Sequence, residues 1–231
     1  FYQWLFNGAP IPGATNATLT LSPIQSTSAG AYSVVVFNAI GHLLSDEATL
    51  TIQEVFTWGY HGDSRLDVPL GLTNILGISA GKDFSVALKA DGTVFAWGRN
   101  DLGQTEVPAD LTNAVAVAAA NQASLALRRD GTVIGWGFPE EGETDPPPNL
   151  SSVVAIDIGG YHAAAIRNDG TVVGLGYRAN TPDGLGDVIA VACGNDFSLA
   201  LHGNGTVAAF GENCHGQLNV PSGLERIVAI A

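Results

Sequence analysis

"DGTVFAWG", running from Asp91 to Gly98, returns as "DGTVIGWG" from Asp130, as "DGTVVGLG" from Asp169 and more loosely as "NGTVAAFG" from Asn204. Outward from this stretch a period emerges. Trp58-Gly59, Trp97-Gly98, Trp136-Gly137 and Leu175-Gly176 step by 39 residues, and Phe210-Gly211 follows after 35. A second series, "DVPLGLTN" (Asp67), "EVPADLTN" (Glu106), "DPPPNLSS" (Asp145), "NTPDGLGD" (Asn180) and "NVPSGLER" (Asn219), keeps the same phase and places the four missing residues between Gly176 and Asn180. A fixed period turns each residue in it into one instance of a structural unit.

Each unit reads as a variable loop, a proline-containing stretch, a short strand and a hairpin. The strands are "ILGISAG", "AVAVAAA", "VVAIDIG", "VIAVACG" and a final "IVAIA". The hairpin pairs "SVALKA" with "TVFAWG" across Asp91-Gly92, and Asp-Gly or Asn-Gly suits turns that need positive φ. A unit of about 40 residues with three or four strands matches a propeller blade, a small sheet stacked against its neighbours. The aromatic residues ending the hairpins are expected between blades.

Composition agrees. The chain has 231 residues, 46% hydrophobic, with 29 glycines and 11 prolines, which favours strands and tight turns in an all-β protein. Its 9 basic and 22 acidic residues leave a net charge of −13, which repels phosphate backbones and anionic lipid. Nucleic acid and membrane insertion are therefore not expected. Cys193, in a core strand, and Cys214, in a loop, are too few for a disulfide framework, and sequence leaves one bridge open.

The units resemble the regulator of chromosome condensation (RCC1) repeat, a family of seven-bladed propellers. The resemblance rests on "ISAGKDFSVAL" (Ile78 to Leu88), "IDIGGYHAAAI" (Ile156 to Ile166), "VACGNDFSLAL", "VAAANQASLAL", and Gly-Gln pairs at Gly103-Gln104 and Gly216-Gln217. The family's histidine appears only as His162, with Phe84, Ala123 and Phe197 in the other copies. Seven blades at this period would need about 270 residues. The expected architecture is thus a partial, open or truncated, β-propeller of four to five short blades over residues 54–231, with units at about 60–98, 99–137, 138–176 and 177–211 and a partial unit at 212–231.

Residues 1–53 follow another pattern and resemble the later strands, C to G, of a bacterial immunoglobulin-like domain. Trp4 would be its core tryptophan and Tyr32, after "SAG", its corner tyrosine. A partial β-sandwich is expected there, with its first strands missing.

No nucleophile elbow, zincin helix, phosphate loop or dinucleotide fingerprint appears, so neither catalysis nor a cofactor is expected. "PEEGETDPPP" (Pro139 to Pro148) is read as a solvated acidic loop, and Cys214-His215 as an exposed loop without the partners of a zinc site, so no metal is assigned. The residue after each hairpin's last glycine is Tyr60, Arg99, Phe138, Tyr177 or Glu212. Unlike side chains at equivalent places can pattern one face for a protein partner, and His61, Arg178 and His215 are secondary candidates in the same loops. These features point to a non-enzymatic protein-binding scaffold, monomeric within a larger exported or cell-surface bacterial protein. Two other readings stand beside it: a secreted enzyme inhibitor of the β-lactamase-inhibitor type, built of similar blades, and the accessory region of a carbohydrate-active or other extracellular enzyme.

Overall fold

The computed structural model describes residues 1–52, 54–59, 64–138, 142–176 and 179–231. The chain divides into two compact units, one of Phe1–Phe56 with Val68–Asn74, the other of Thr57–Asp67 with Ile75–Ala231.

In the first unit, strands β1 (Tyr2–Phe6), β2 (Ala9–Pro10), β3 (Gly30–Phe37), β4 (His42–Leu44) and β5 (Ala48–Leu50) form one antiparallel sheet in the order β2-β1-β3-β4, with β5 also on β3. Pairing of Trp4 with Val34 and of Phe6 with Tyr32 sets Trp4, Phe6, Val34 and Tyr32 on one face, as a period of two requires. The Tyr32 hydroxyl donates to the Ser28 carbonyl at 2.7 Å, four residues upstream, and the Trp4 indole donates to the Asn16 carbonyl. The described strands of this unit form this single sheet.

The second unit contains four three-stranded antiparallel blades: β6 (Ile75–Ala80), β7 (Phe84–Lys89) and β8 (Val94–Gly98); β9 (Ala114–Ala120), β10 (Ala123–Arg128) and β11 (Val133–Gly137); β12 (Val153–Ile158), β13 (Ala163–Arg167) and β14 (Val172–Leu175); β15 (Val188–Cys193), β16 (Phe197–His202) and β17 (Val207–Gly211). Each middle strand reads as a nearly continuous apolar run, and in the first three blades it is covered on both faces. Its alanine (Ala87, Ala126, Ala165, Ala200) is fully buried in every copy.

The blades stack in sequence. Phe84, Val86 and Leu88 of the first pack with Ala119, Ala126 and Trp136 of the second; Leu125 and Leu127 pack with Ile158, Ala165 and Leu175 of the third; Ile166 packs with Ala200 and Phe210 of the fourth. The residues that end the hairpins therefore fill the seam with the preceding blade. Trp58 departs from the series: it lies outside any strand and is 87% exposed, whereas Trp97 and Trp136 are buried.

The recurring Asp-Gly-Thr explains both turn and seam. Only the glycine takes positive φ (Gly92 83°, Gly131 82°, Gly170 80°, Gly205 82°), so the preceding Asp or Asn serves another purpose than the expected one. Asp91 Oδ1 accepts the Thr93 amide at 3.0 Å and the Thr93 hydroxyl at 2.6 Å, and the same pair of bonds recurs at Asp130, Asp169 and Asn204. Asn serves as well as Asp because the bond needs only a side-chain carbonyl oxygen. The turn glycine then docks on the next blade: Gly92 accepts from Ala114, Gly131 from Val153, Gly170 from Val188 and Gly205 from Ile227, at 3.1–3.2 Å. A Cβ on Gly92 would stand 2.9 Å from the Asn113 Cα, so the contact itself requires glycine.

A β-bulge interrupts the first strand of each blade, at Leu76, Val115, Val154 and Ile189. The extra residue is turned out of the ladder, and these four aliphatics are 41–70% exposed despite lying in apolar runs.

Candidate functional site

The loops that differ between copies leave their blades at one equivalent place. The Arg99 amide donates to the Asp83 carbonyl, Phe138 to Gln122 and Glu212 to Asp196, at 2.8–2.9 Å. Glycine must precede each: a Cβ on Gly98, Gly137 or Gly211 would lie 2.3–2.6 Å from those same carbonyl oxygens. The backbone is thus held alike while the side chains diverge. Phe138 is 46% exposed and Glu212 is exposed.

Arg99 is half-buried and engaged with its own surroundings. Its guanidinium donates through Nε to Asp101 at 2.8 Å and lies 3.6 Å from Asp83, whose other oxygen is 2.9 Å from Arg65. The Arg99 guanidinium holds the Asp101 carboxyl below its ordinary value. His215 is exposed, with its Nδ1 2.9 Å from the Cys214 sulfur and its amide donated to Gln217 Oε1 at 2.8 Å. Both cysteines are free thiols. Tyr60, His61, Tyr177 and Arg178 lie outside the described residues.

Gly-Gln turns clamp these loops. Gln104 Oε1 accepts the Leu102 amide as Gln217 accepts that of His215, and the Gln104 carbonyl receives the Trp136 indole at 3.1 Å. Glu143 occupies the same place in the unit after that of Gln104, following Gly142 at φ 82°, and is 1% exposed. The acidic stretch is therefore not solvated throughout: Asp145 is exposed, Glu143 is interior, and Glu140 and Glu141 fall outside the described residues. The 39-residue offset from Gly103-Gln104 to Gly142-Glu143 carried this signal in the sequence.

One seam holds a polar chain that sequence reading did not assemble. His162 Nε2 lies 2.6 Å from Ser198 Oγ, Ser198 Oγ is 3.4 Å from Cys193 Sγ, and Asp157 Oδ2 accepts the Cys193 amide at 2.6 Å. Burial holds His162 below the ordinary imidazole value, against the opposing influence of the Asn195 backbone and of Asp196, Asp157 and Glu143. Burial likewise raises Asp157 and, aided by its carboxylate, pushes Cys193 up to about 12. A serine hydroxyl against an imidazole resembles a nucleophile and its base. Here Ser198 is wholly buried and His162 is 2% exposed, so the pair lies within the seam, closed to substrate. Among the described residues no three His, Cys, Asp or Glu side chains gather as a metal site.

The regulator of chromosome condensation (RCC1) repeat model matches residues 75–104 and 188–217, which span the first and fourth blades from their first strands to beyond their hairpins. The first and fourth blades are thus similar to RCC1 repeats. Solved propellers share the fold: human WBSCR16, with 22% identity and a TM-score of 0.55 over 66% of this chain and 51% of that one; and Prp20p of Saccharomyces cerevisiae, with 15% identity and a TM-score of 0.58 over 85% and 58%. Yeast RCC1 (Prp20) bound to Kap60 is similar at 16% identity and a TM-score of 0.53, over 85% and 56%. The chain thus spans between half and three-fifths of the length of those proteins. No curated protein matches it by sequence.

Proposed function

We propose that this chain is a non-enzymatic protein-binding scaffold whose contacts are made by the variable loops that begin at Tyr60, Arg99, Phe138, Tyr177 and Glu212. The observation that carries the reading is the common anchoring of Arg99, Phe138 and Glu212, which leaves unlike side chains, one of them an exposed phenylalanine, on identical backbone supports. Yeast Prp20p is described with binding properties to Gsp1p and histones and, as RCC1, is bound to Kap60, which supports a protein as the class of partner. The polarity of the His162–Ser198 pair is absorbed by the seam, which supports a role without catalysis.

The immunoglobulin-like resemblance of residues 1–53 supports a spacer beside the propeller in an exported or surface-attached bacterial protein. Site-specific photo-crosslinking tests the loop assignment. A crosslinker at Phe138 or Glu212 should trap a protein partner from the native host, whereas one at Thr132, on a hairpin turn, should not. Equal trapping at all three positions, or trapping only at Thr132, refutes it.

A further inference from the structure

We propose that the groove where the hairpin turn of the third blade meets the first strand of the fourth binds an aliphatic α-amino acid. Its carboxylate would sit on Arg167, its ammonium on Asp169 and Asp187, and its side chain between Val154 and Ile189. These residues line one groove of about 420 Å³, together with the buried Ile166 and Val188.

The observation that singles out this groove is the state of Arg167. It ends β13, and the same position ends every middle strand. Lys89 there lies 3.5 Å from Asp91 and 5.7 Å over the centre of the Phe95 ring. Arg128 donates to the Asp110 carbonyl at 2.6 Å and to its carboxylate at 3.2 Å, and His202 Nδ1 lies 2.9 Å from the Gly186 carbonyl. In the third unit Asn149 stands where Asp110 stood and Val173 where Phe95 stood, so neither neighbour is offered again. Arg167 is half-buried, yet among the described residues its side chain has no hydrogen bond or ion pair. A planar guanidinium left in that state matches a carboxylate through two parallel donors.

The rest of the lining fixes the rest of the ligand. Asp169 and Asp187 outnumber the one arginine, so a bare carboxylate would meet net negative charge, whereas a zwitterion offers them its ammonium. Asp169 is held below the usual carboxylate value chiefly by its bonds from Thr171, with Arg167 contributing less, and so is ionised. Val154 and Ile189 are the bulged residues of neighbouring first strands, 57% and 60% exposed. An aliphatic side chain lodged against both removes apolar surface from water. The groove lies at the turn end of the third hairpin and the variable loop leaves from its other end, so this binding does not depend on the loop contacts proposed above.

Isotope-edited methyl spectra of the 231-residue chain during titration with leucine provide the test. The Val154 and Ile189 methyls should shift saturably, while those of Leu76 and Val115, at the same positions in the first two blades, stay in place. Arg167→Gln and Asp187→Asn should each weaken binding about tenfold or more, the loss expected of one charged hydrogen bond, and Arg128→Gln should leave it unchanged. Unmoved methyl resonances elsewhere report an intact fold in each variant. Leucinamide lacks the carboxylate, N-acetylleucine lacks the ammonium and glycine lacks the side chain; each should bind at least about tenfold more weakly than leucine. These three comparisons need no substitution and stand whatever the variants do. The proposal is overturned if leucine leaves Val154 and Ile189 unmoved, if Arg167→Gln binds as the native chain does, or if glycine matches leucine. Equal binding of leucinamide or of N-acetylleucine also overturns it, because that assigns the groove to one end of a peptide chain.

Discussion

Replacing Ser124 by alanine should stabilise the protein, although Ser124 is fully buried. Ser124 and Ser198 occupy the same position in the second and fourth blades, each facing the preceding blade. Ser198 meets His162 at 2.6 Å, whereas the Ser124 hydroxyl has no hydrogen-bond partner among the described residues. A buried hydroxyl without a partner costs about 1–3 kcal/mol in desolvation, and its removal deletes one atom and leaves little void. Ser124→Ala is therefore expected to gain about 1 kcal/mol. Ser198→Ala should lose about 1–3 kcal/mol, because it strips the buried Nε2 of His162 of its hydroxyl partner. The double change His162→Phe with Ser198→Ala should be much milder than Ser198→Ala alone, since replacing both partners by apolar groups removes the orphan. The second seam, where Ala123 faces Ala163, already has that character. Urea titrations with unchanged slope measure each shift in midpoint. If Ser124→Ala destabilises as much as Ser198→Ala, the assignment of polar partners across the seams is wrong.

Further outcomes follow from the same geometry. Because burial holds folded His162 below the ordinary imidazole value, its contribution is present above that value and is lost as pH falls beneath it, where the unfolded imidazole gains a proton the folded one resists. Asp157, raised above 3.8, acts in the opposite sense, favouring the fold at lower pH as its carboxyl protonates. Urea titrations between pH 7.5 and 5.5 should therefore show a decline that His162→Phe flattens. A thiol reagent at neutral pH should label Cys214 much faster than Cys193 in the native protein and both alike after denaturation, since Cys214 is exposed whereas Cys193 is half-buried with its thiol pushed up to about 12; equally rapid native labelling of Cys193 would contradict its place in the seam. Gly131→Ala should cost at least about 1–2 kcal/mol, because it forces a left-handed side chain and sets a Cβ 3.1 Å from Ser152. Asp130→Asn should leave the denaturation midpoint nearly unchanged and Asp130→Ala should lower it, as Asn204 already fills the same turn.

Much of the blade architecture was legible because a hairpin is a local object. The Asp-Gly-Thr turns, the strand alternation and the burial of Trp97, Trp136, Leu175 and Phe210 all follow from residues near one another in the chain. The glycine before Arg99, Phe138 and Glu212 stood in the sequence too, and the structure gives its reason, a backbone approach that no Cβ permits. Glu143 was misread because a run of acidic residues was weighed by composition, when its phase with Gln104 places it inside the fold.

What sequence alone determined is the period, the blade and the positions where copies agree or differ, because turn chemistry and a two-residue alternation act over a few residues. Tertiary structure alone decided which residues meet across the seams. His162 and Ser198 are 36 residues apart and belong to different blades, and their bond exists only because one sheet is laid on the next. The same stacking leaves the hydroxyl of Ser124 without a partner among the described residues. Stacking also sets the exposure of the bulged aliphatics Leu76, Val115, Val154 and Ile189: a single extra residue in the ladder turns each of them away from the core that its apolar neighbours enter.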